Sequence, residues 1–497
     1  MKTETPEERA RRRVENARMR VRQLLWVFFW LLLFEGALRK WVVPRWSDPL
    51  LVVRDPVVAM IYFYAMRARV FPRNGWTVAL AVLGFLCVAT TFLQLWQYVP
   101  PLKVGLVAGF GFRANFFQLP LIFIMARVLR PADVKQFGWW TLAVLIPMTL
   151  LMVAQFQASP ESVVNRTAGG GTEMMMSALG KVRTSGTFSF VIGVVAFYAL
   201  ATAYLVWATL RPGIYKIRLL IPAGVALVIG VSVSGSRSVV GACTLVLASL
   251  FVVIVLRPDM VNRFGQGLIV ALFLGIVISR LPIFREGVNV LSTRFYEAAD
   301  GMGQSIARGL IARPLDVFEE GFAVISRAPA FGYGLGVGTN AGAKFLIGRS
   351  AFLLTEGEWS RILLESGPIL GLAYIAWRCA LVMRVGWLCL RSVRIGNLLP
   401  LLLFSAGFLP MLSGQLGQPT ILGFAVFVMG LTLAARNEEA SIPRRAPPLP
   451  PSRFAPAPGT IRGRSAYAER LHGESERDGH PSAPSSGATS ENGSADR

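Results

Sequence analysis

The sequence predicts an all-α polytopic membrane protein with about twelve transmembrane helices. Three observations lead there. Of its 497 residues 54% are hydrophobic, and the mean hydropathy is +0.52; a soluble chain of this size needs more polar residues to cover its surface. The apolar residues gather into runs of about 18, the length that carries a helix across a hydrocarbon core of about 30 Å. The connections between those runs alternate between basic and non-basic, as the two sides of a membrane require.

Along the chain, spans are expected at 24–38, 49–66, 76–96, 103–128, 137–157, 188–210, 217–235, 238–256, 266–282, 362–384, 397–413 and 416–435. The first two are short and are interrupted by Arg39-Lys40 and Arg54-Asp55. Basic residues mark every second connection: Arg67, Arg69 and Arg73; Arg127, Arg130 and Lys135; Arg211, Lys216 and Arg218; Arg257 and Arg263; Arg384, Arg391 and Arg394. With the basic segment 1–22, these place both termini in the cytoplasm and the membrane around residues 23–435. One loop departs from the rule: Arg39, Lys40 and Arg45 fall on the outer side. The N-terminal charged stretch is too long for a cleaved signal peptide, so the first span is expected to be an uncleaved anchor. Residues 436–497 are rich in Pro, Ser, Arg and Gly and read as a disordered cytoplasmic tail.

Composition also excludes. The net charge of +23 would point to nucleic acid in a soluble protein, but here cytoplasmic loops and anionic headgroups account for it. Membrane lipids are therefore expected partners and nucleic acid is not. Cys87, Cys243, Cys379 and Cys389 lie in or beside apolar runs without a CxxC pair, against a disulfide framework or zinc site. The two histidines, His472 and His480, are both in the tail, so no histidine base or ligand is available in the membrane. No metal and no cofactor is expected.

Two outer segments are long. Residues 158–187 are rich in Gly, Met and Ser, and residues 283–361 form a large, partly helical loop with amphipathic stretches. Charged residues within spans are costly and invite functional readings. Arg54 and Asp55 form either a structural ion pair or part of a site. Arg113, in GFGFRANFFQLP, either snorkels to the outer interface or binds a ligand. Arg237, in VSVSGSRSVVG, is either an interfacial anchor or a guanidinium whose small neighbours let a ligand approach. Arg183, Arg280, Arg285, Arg294, Arg308 and Arg313 add outer arginines, whose planar forks suit phosphate oxygens. Residues 280–358 hold eight basic and eight acidic residues, so mutual pairing competes with that use.

The sharpest constellation is TEGEWSRILLESGPILG, residues 355–371. Glu358, Arg361 and Glu365 share one helical face, Glu356 and Glu358 sit near the helix start, and Gly367-Pro368 marks a bend or break. This is either a capped helix with internal salt bridges or a carboxylate serving as general base toward a sugar hydroxyl. Before it, FGYGLGVGTN lacks the lysine of a phosphate-binding loop. Its Gly334, Gly338 and Asn340 are expected to support close backbone approach to substrate or to a helix.

SGSRS (234–238), RTSGTF (183–188), the GYGLGVGTN turn (332–340) and the order Glu356, Glu365, Gly367, Gly371 resemble the O-antigen ligase and polysaccharide polymerase family of bacterial envelopes over residues 20–435. EGALRKWVVP (35–44) and GEWSRILLE resemble a branch of it linked to exopolysaccharide synthesis. The resemblance implies a C-type glycosyltransferase fold and a polyprenyl-diphosphate-linked glycan donor used on the periplasmic face. It implies no nucleotide sugar, no metal, and possible contact with other polysaccharide assembly proteins. Arg237, with Arg113, Arg183 or Arg294, would hold the diphosphate as its charge develops. Family ligases carry a His-Asn pair eleven residues before the first glycine of the closing motif, here Gly367; Glu356-Gly357 stand at that place, so Glu356 or Glu358, beside Arg361, would supply the base. That departure favours polymerase over ligase. A transporter or flippase of the same lipid, or a scaffold without catalysis, are the competing classes; the concentration of polar signals at the outer boundary weighs against alternating access.

Overall fold

The computed structural model describes residues 6–168, 176–258, 265, 275–302, 319–321, 323–349 and 351–437. Among them the chain is helical without a strand, and the one β contact is a bridge between Met176 and Val182. The expected tail, apart from Arg436 and Asn437, lies outside the described residues. So do most of the expected ninth span, 266–282, and Arg308 and Arg313.

Eleven expected spans fall on helices. Among the described residues, eight segments are long and apolar enough to cross a membrane, and three apolar helices of 10–17 residues accompany them. The first helix, α1 (Pro6–Ala37), starts well before its apolar part, and Arg22 fastens it to Asp133 at 2.6 Å. The expected second span is divided into α2 (Ser47–Leu50) and α3 (Arg54–Arg67). Helix α4 (Gly75–Leu95) is followed by α5 (Pro101–Phe112) and a π-helical turn, Arg113–Phe117, after which α6 (Leu121–Val128) completes the fourth span. Then come α7 (Pro131–Gln157), α8 (Val191–Leu210), α9 (Ile217–Val233) and α10 (Arg237–Leu256). Outside the spans lie α11 (Pro282–Met302) and α12 (Asn340–Ile347). Helices α13 (Glu358–Arg394), α14 (Leu399–Ser413) and α15 (Pro419–Ala435) finish the bundle.

Helices α8 and α15 are apolar all round and buried on nearly every side, which places them at the centre. Around them α1 packs on α3, α7 on α9, α10 on α8, and α6 on α15. The outward faces keep large apolar side chains: Phe85, Leu93, Phe251 and Met383 are 68–77% exposed. Such a belt is unfavourable in water and favourable against lipid.

Connections that the charge pattern assigns to one side do meet at one end. Arg127 donates to the carbonyls of Val70 and Phe71, Arg211 to Gly396 at 2.9 Å, and Arg257 to Arg394 at 3.3 Å. The opposite end holds α2, the segment 183–189, the Gly-rich turn and the start of α13. Asp48 pairs with Lys344 there, and Thr187 donates to the Leu33 carbonyl at 2.6 Å.

Two glycines shape that second end. Gly367 breaks α13 at φ +74°, a conformation that favours glycine, and its missing Cβ leaves room for the backbone of Gly332 and Ala330. At Gly36 a Cβ would lie 2.5 Å from Ser189 N and 2.7 Å from Phe188 C, so α1 touches the segment 183–189 backbone to backbone. Gly36→Ala is expected to cost about 1–3 kcal/mol by overpacking, seen as a lower unfolding temperature in detergent. An unchanged temperature would mean that the segment yields freely.

Candidate functional site

Three groups of polar side chains occupy the second end. The first is built on the first turns of α13. Arg361 Nη1 donates to Glu365 Oε2 at 2.7 Å, its Nη2 to Glu358 Oε2 at 2.9 Å and to Asn115 Oδ1 at 3.1 Å, and its Nε to Glu358 Oε2 at 3.2 Å. The shared face read from the sequence thus brings these three residues together. From farther down α13, Arg378 Nη1 reaches Glu358 Oε1 at 2.8 Å, while its other donors hold the Met411 and Gly414 carbonyls. Leu416 N also donates to Glu358 Oε1, at 3.2 Å, and Gly338 N donates to Glu365 Oε1 at 2.9 Å.

Two carboxylates and two guanidiniums balance in charge, and all four are at most 4% exposed. Four donors fill the lone-pair positions of Glu358. Such a carboxylate ties elements together. Of the two carboxylates considered as a base, only Glu356 is exposed. It lies outside the helix, which begins at Glu358 after Gly357, and its carbonyl accepts Gln415 Nε2 at 2.7 Å.

The Gly-rich turn rests on this network. Gly334 has φ +113°, and Gly338 packs where a Cβ would lie 2.8 Å from Arg361 Cγ. Asn340 is exposed at the start of α12, which Thr339 caps by accepting from Gly342 N at 3.0 Å.

The second group lies where α1 ends. Arg54 pairs with Glu35 at 2.9 Å, whereas Asp55 takes Arg113 Nε at 2.5 Å and Gln118 Nε2 at 2.7 Å. Arg54 and Asp55 are therefore not a pair with each other; successive residues of a helix point roughly 100° apart. Arg113 is 7% exposed and also donates to the Leu51 carbonyl, so it is buried in the protein and does not snorkel. Arg39 holds Ser47 and Ser189, and Lys40 holds Ser185 Oγ at 2.6 Å and the Gly186 carbonyl at 3.1 Å. Of the three cations that broke the charge pattern, Arg39 and Lys40 are buried struts for the segment 183–189, and Arg45 is exposed.

That segment leads to the third group. Thr184 donates to the Val233 carbonyl at 3.2 Å, next to the Ser234-Gly235-Ser236 turn that starts α10 at Arg237. Gly235 faces Ser177 and Val290 of α11, one turn before Arg294. The segments bearing Arg183, Arg237 and Arg294 therefore converge, whereas Arg113 belongs to the second group. Arg183 Nε and Arg294 Nε are buried without a hydrogen-bond partner, and Arg294 Nη1 stands 3.6 Å from Glu297 Oε2.

Sequence reasoning passed over Arg378, Glu35, Asn115 and the glutamines of the 413–419 loop. Arg378 and Glu35 carried a usable signal, a charge inside an apolar run. Asn115 and the glutamines carried none. Among the described residues no cluster of His, Cys, Asp and Glu could hold a metal ion. Comparison with protein-family models and with curated proteins gives no match.

Proposed function

We propose that this chain is a membrane glycosyltransferase that polymerises or transfers polyprenyl-diphosphate-linked oligosaccharide in surface polysaccharide synthesis. The second end is then the periplasmic face of a bacterial inner membrane, with twelve spans in a C-type arrangement and both termini cytoplasmic. The observation that carries the reading is the convergence of the segments bearing Arg183, Arg237 and Arg294, two of these arginines having a buried guanidinium nitrogen without a partner. An unsatisfied buried donor is costly, and a phosphate oxygen removes the cost. These arginines would hold the diphosphate of the donor. The acceptor hydroxyl attacks the anomeric carbon, the bond to the diphosphate oxygen breaks, and the guanidiniums stabilise the charge gathered there. Glu356, exposed at the edge of the same end, takes the hydroxyl proton.

The rival reading, a flippase, draws on the interruptions at 113–117 and at Gly367, because transporters use discontinuous helices beside buried charges. One experiment separates them. The protein in detergent is incubated with the lipid-linked oligosaccharide pool of its host, and chain elongation and released polyprenyl diphosphate are followed for wild type and Arg237→Ala. Elongation lost in the variant supports the transferase. Lipid translocation in proteoliposomes without any glycan transfer by wild type supports the flippase.

A further inference from the structure

The buried ion network explains more than its own stability, because it holds up a loop. Residues 413–419, SGQLGQP, connect α14 to α15. From below, Arg378 grips the Gly414 carbonyl and Glu358 accepts from Leu416 N. Gly417 lies directly above the network: a Cβ there would be 4.0 Å from Arg361 Cζ and 3.6 Å from Thr339 Cγ2. On top, two amides are lined up. Gln415 Nε2 donates to the Glu356 carbonyl at 2.7 Å, and Gln418 Nε2 donates to Gln415 Oε1.

Both glutamines are half-buried, so the row has a fixed orientation and an open side. It keeps Gln418 Oε1 and one N–H of each amide available, a mixture of acceptor and donors. This decides the chemistry of a ligand. The charge of Arg361 beneath is spent on Glu358 and Glu365, so nothing here selects an anion. An apolar ligand would strip water from the amides and return no hydrogen bond. Hydroxyl groups, which donate and accept at once, match the row.

We infer that Gln415 and Gln418 form a subsite for sugar hydroxyls, beside Glu356, that grips the acceptor glycan. The inference rests on the transferase reading for the word acceptor and on the amide row alone for sugar binding. It also gives the network a purpose, since the ion pairs that look catalytic in the sequence keep two neutral amides in register beside Glu356.

The probe is the water-soluble oligosaccharide released by mild acid from the host's lipid-linked pool. Its binding to the full-length protein in detergent is read by saturation-transfer NMR and by tryptophan fluorescence, for wild type, Gln415→Leu, Gln418→Leu and the double variant. Each single substitution is expected to weaken binding about tenfold, with the unfolding temperature unchanged. The single variants keep the test open if the double variant does not fold. Oligosaccharide that binds wild type and is lost from the variants establishes the subsite even if no transfer is ever seen, in which case the transferase reading fails alone. Wild type that does not bind the oligosaccharide, or variants that bind as well as wild type, overturns the subsite. Variants that transfer glycan with an unchanged KM for acceptor overturn it too, and leave the transferase reading standing.

Discussion

Glu358→Gln is expected to destabilise the protein by about 3–5 kcal/mol, the usual cost of breaking a buried pair by removing one charge. The substitution changes almost no volume. It removes the anion that Arg361 and Arg378 share and turns a donor toward at least one guanidinium, so a balanced group becomes a buried excess of positive charge. The damage spreads because Arg378 and Glu358 also fix the turn between α14 and α15 and Arg361 holds Asn115 of the π-helical turn. Titration with SDS from a mild detergent, followed by tryptophan fluorescence, measures the shift. Glu356→Gln is the control: that side chain is exposed and no carboxylate hydrogen bond ties it down, so its unfolding midpoint stays at the wild-type value. If Glu358→Gln unfolds with wild type, the network contributes little and Glu358 returns as a candidate base. Activity lost together with stability in this variant says nothing about proton transfer, whereas activity lost in Glu356→Gln at full stability does.

The contrast between these two glutamates marks where the sequence stops being legible. Apolar runs and alternating basic connections name eleven helices and two ends because burial in lipid leaves its pattern in local composition. The break in α13 is equally local, a Gly-Pro step that no straight helix tolerates well. Helical spacing puts Glu358, Arg361 and Glu365 on one face but cannot say what covers that face. Here Asn115, Arg378 and the 413–419 loop cover it, and their meeting is a property of the bundle. The same limit applies to Arg39 and Lys40. Counted as loop charges they contradict the sidedness rule, but the rule concerns loops exposed to water, and both residues are buried against segment 183–189. Arg113 is the converse: its sequence position fits a phosphate ligand, yet Asp55, distant along the chain, takes up its charge.

Arg183→Ala is expected to lower glycan transfer by about 10²–10³ while leaving the unfolding midpoint close to wild type, the size of effect seen when one donor to a developing oxyanion is removed. Its neighbours Thr184, Ser185, Gly186, Thr187 and Ser189 are all engaged by Val233, Lys40, Gln155, Leu33 and Arg39, so the segment is held without it. The arginine itself keeps a buried Nε without a partner, a cost to the folded protein that a phosphate oxygen would remove. A side chain that leaves a donor unpaired on a segment held by its neighbours is expected to act in the bound state. Arg183→Lys restores the charge but not the fork, so it should recover only part of the rate. The loss should appear mainly in kcat, since the leaving diphosphate gains charge only as the bond breaks. A pure rise in KM would instead make Arg183 a docking residue for the intact donor. Equal rates for wild type and Arg183→Ala would take the segment out of the site and leave Arg237 and Arg294 to hold the leaving group.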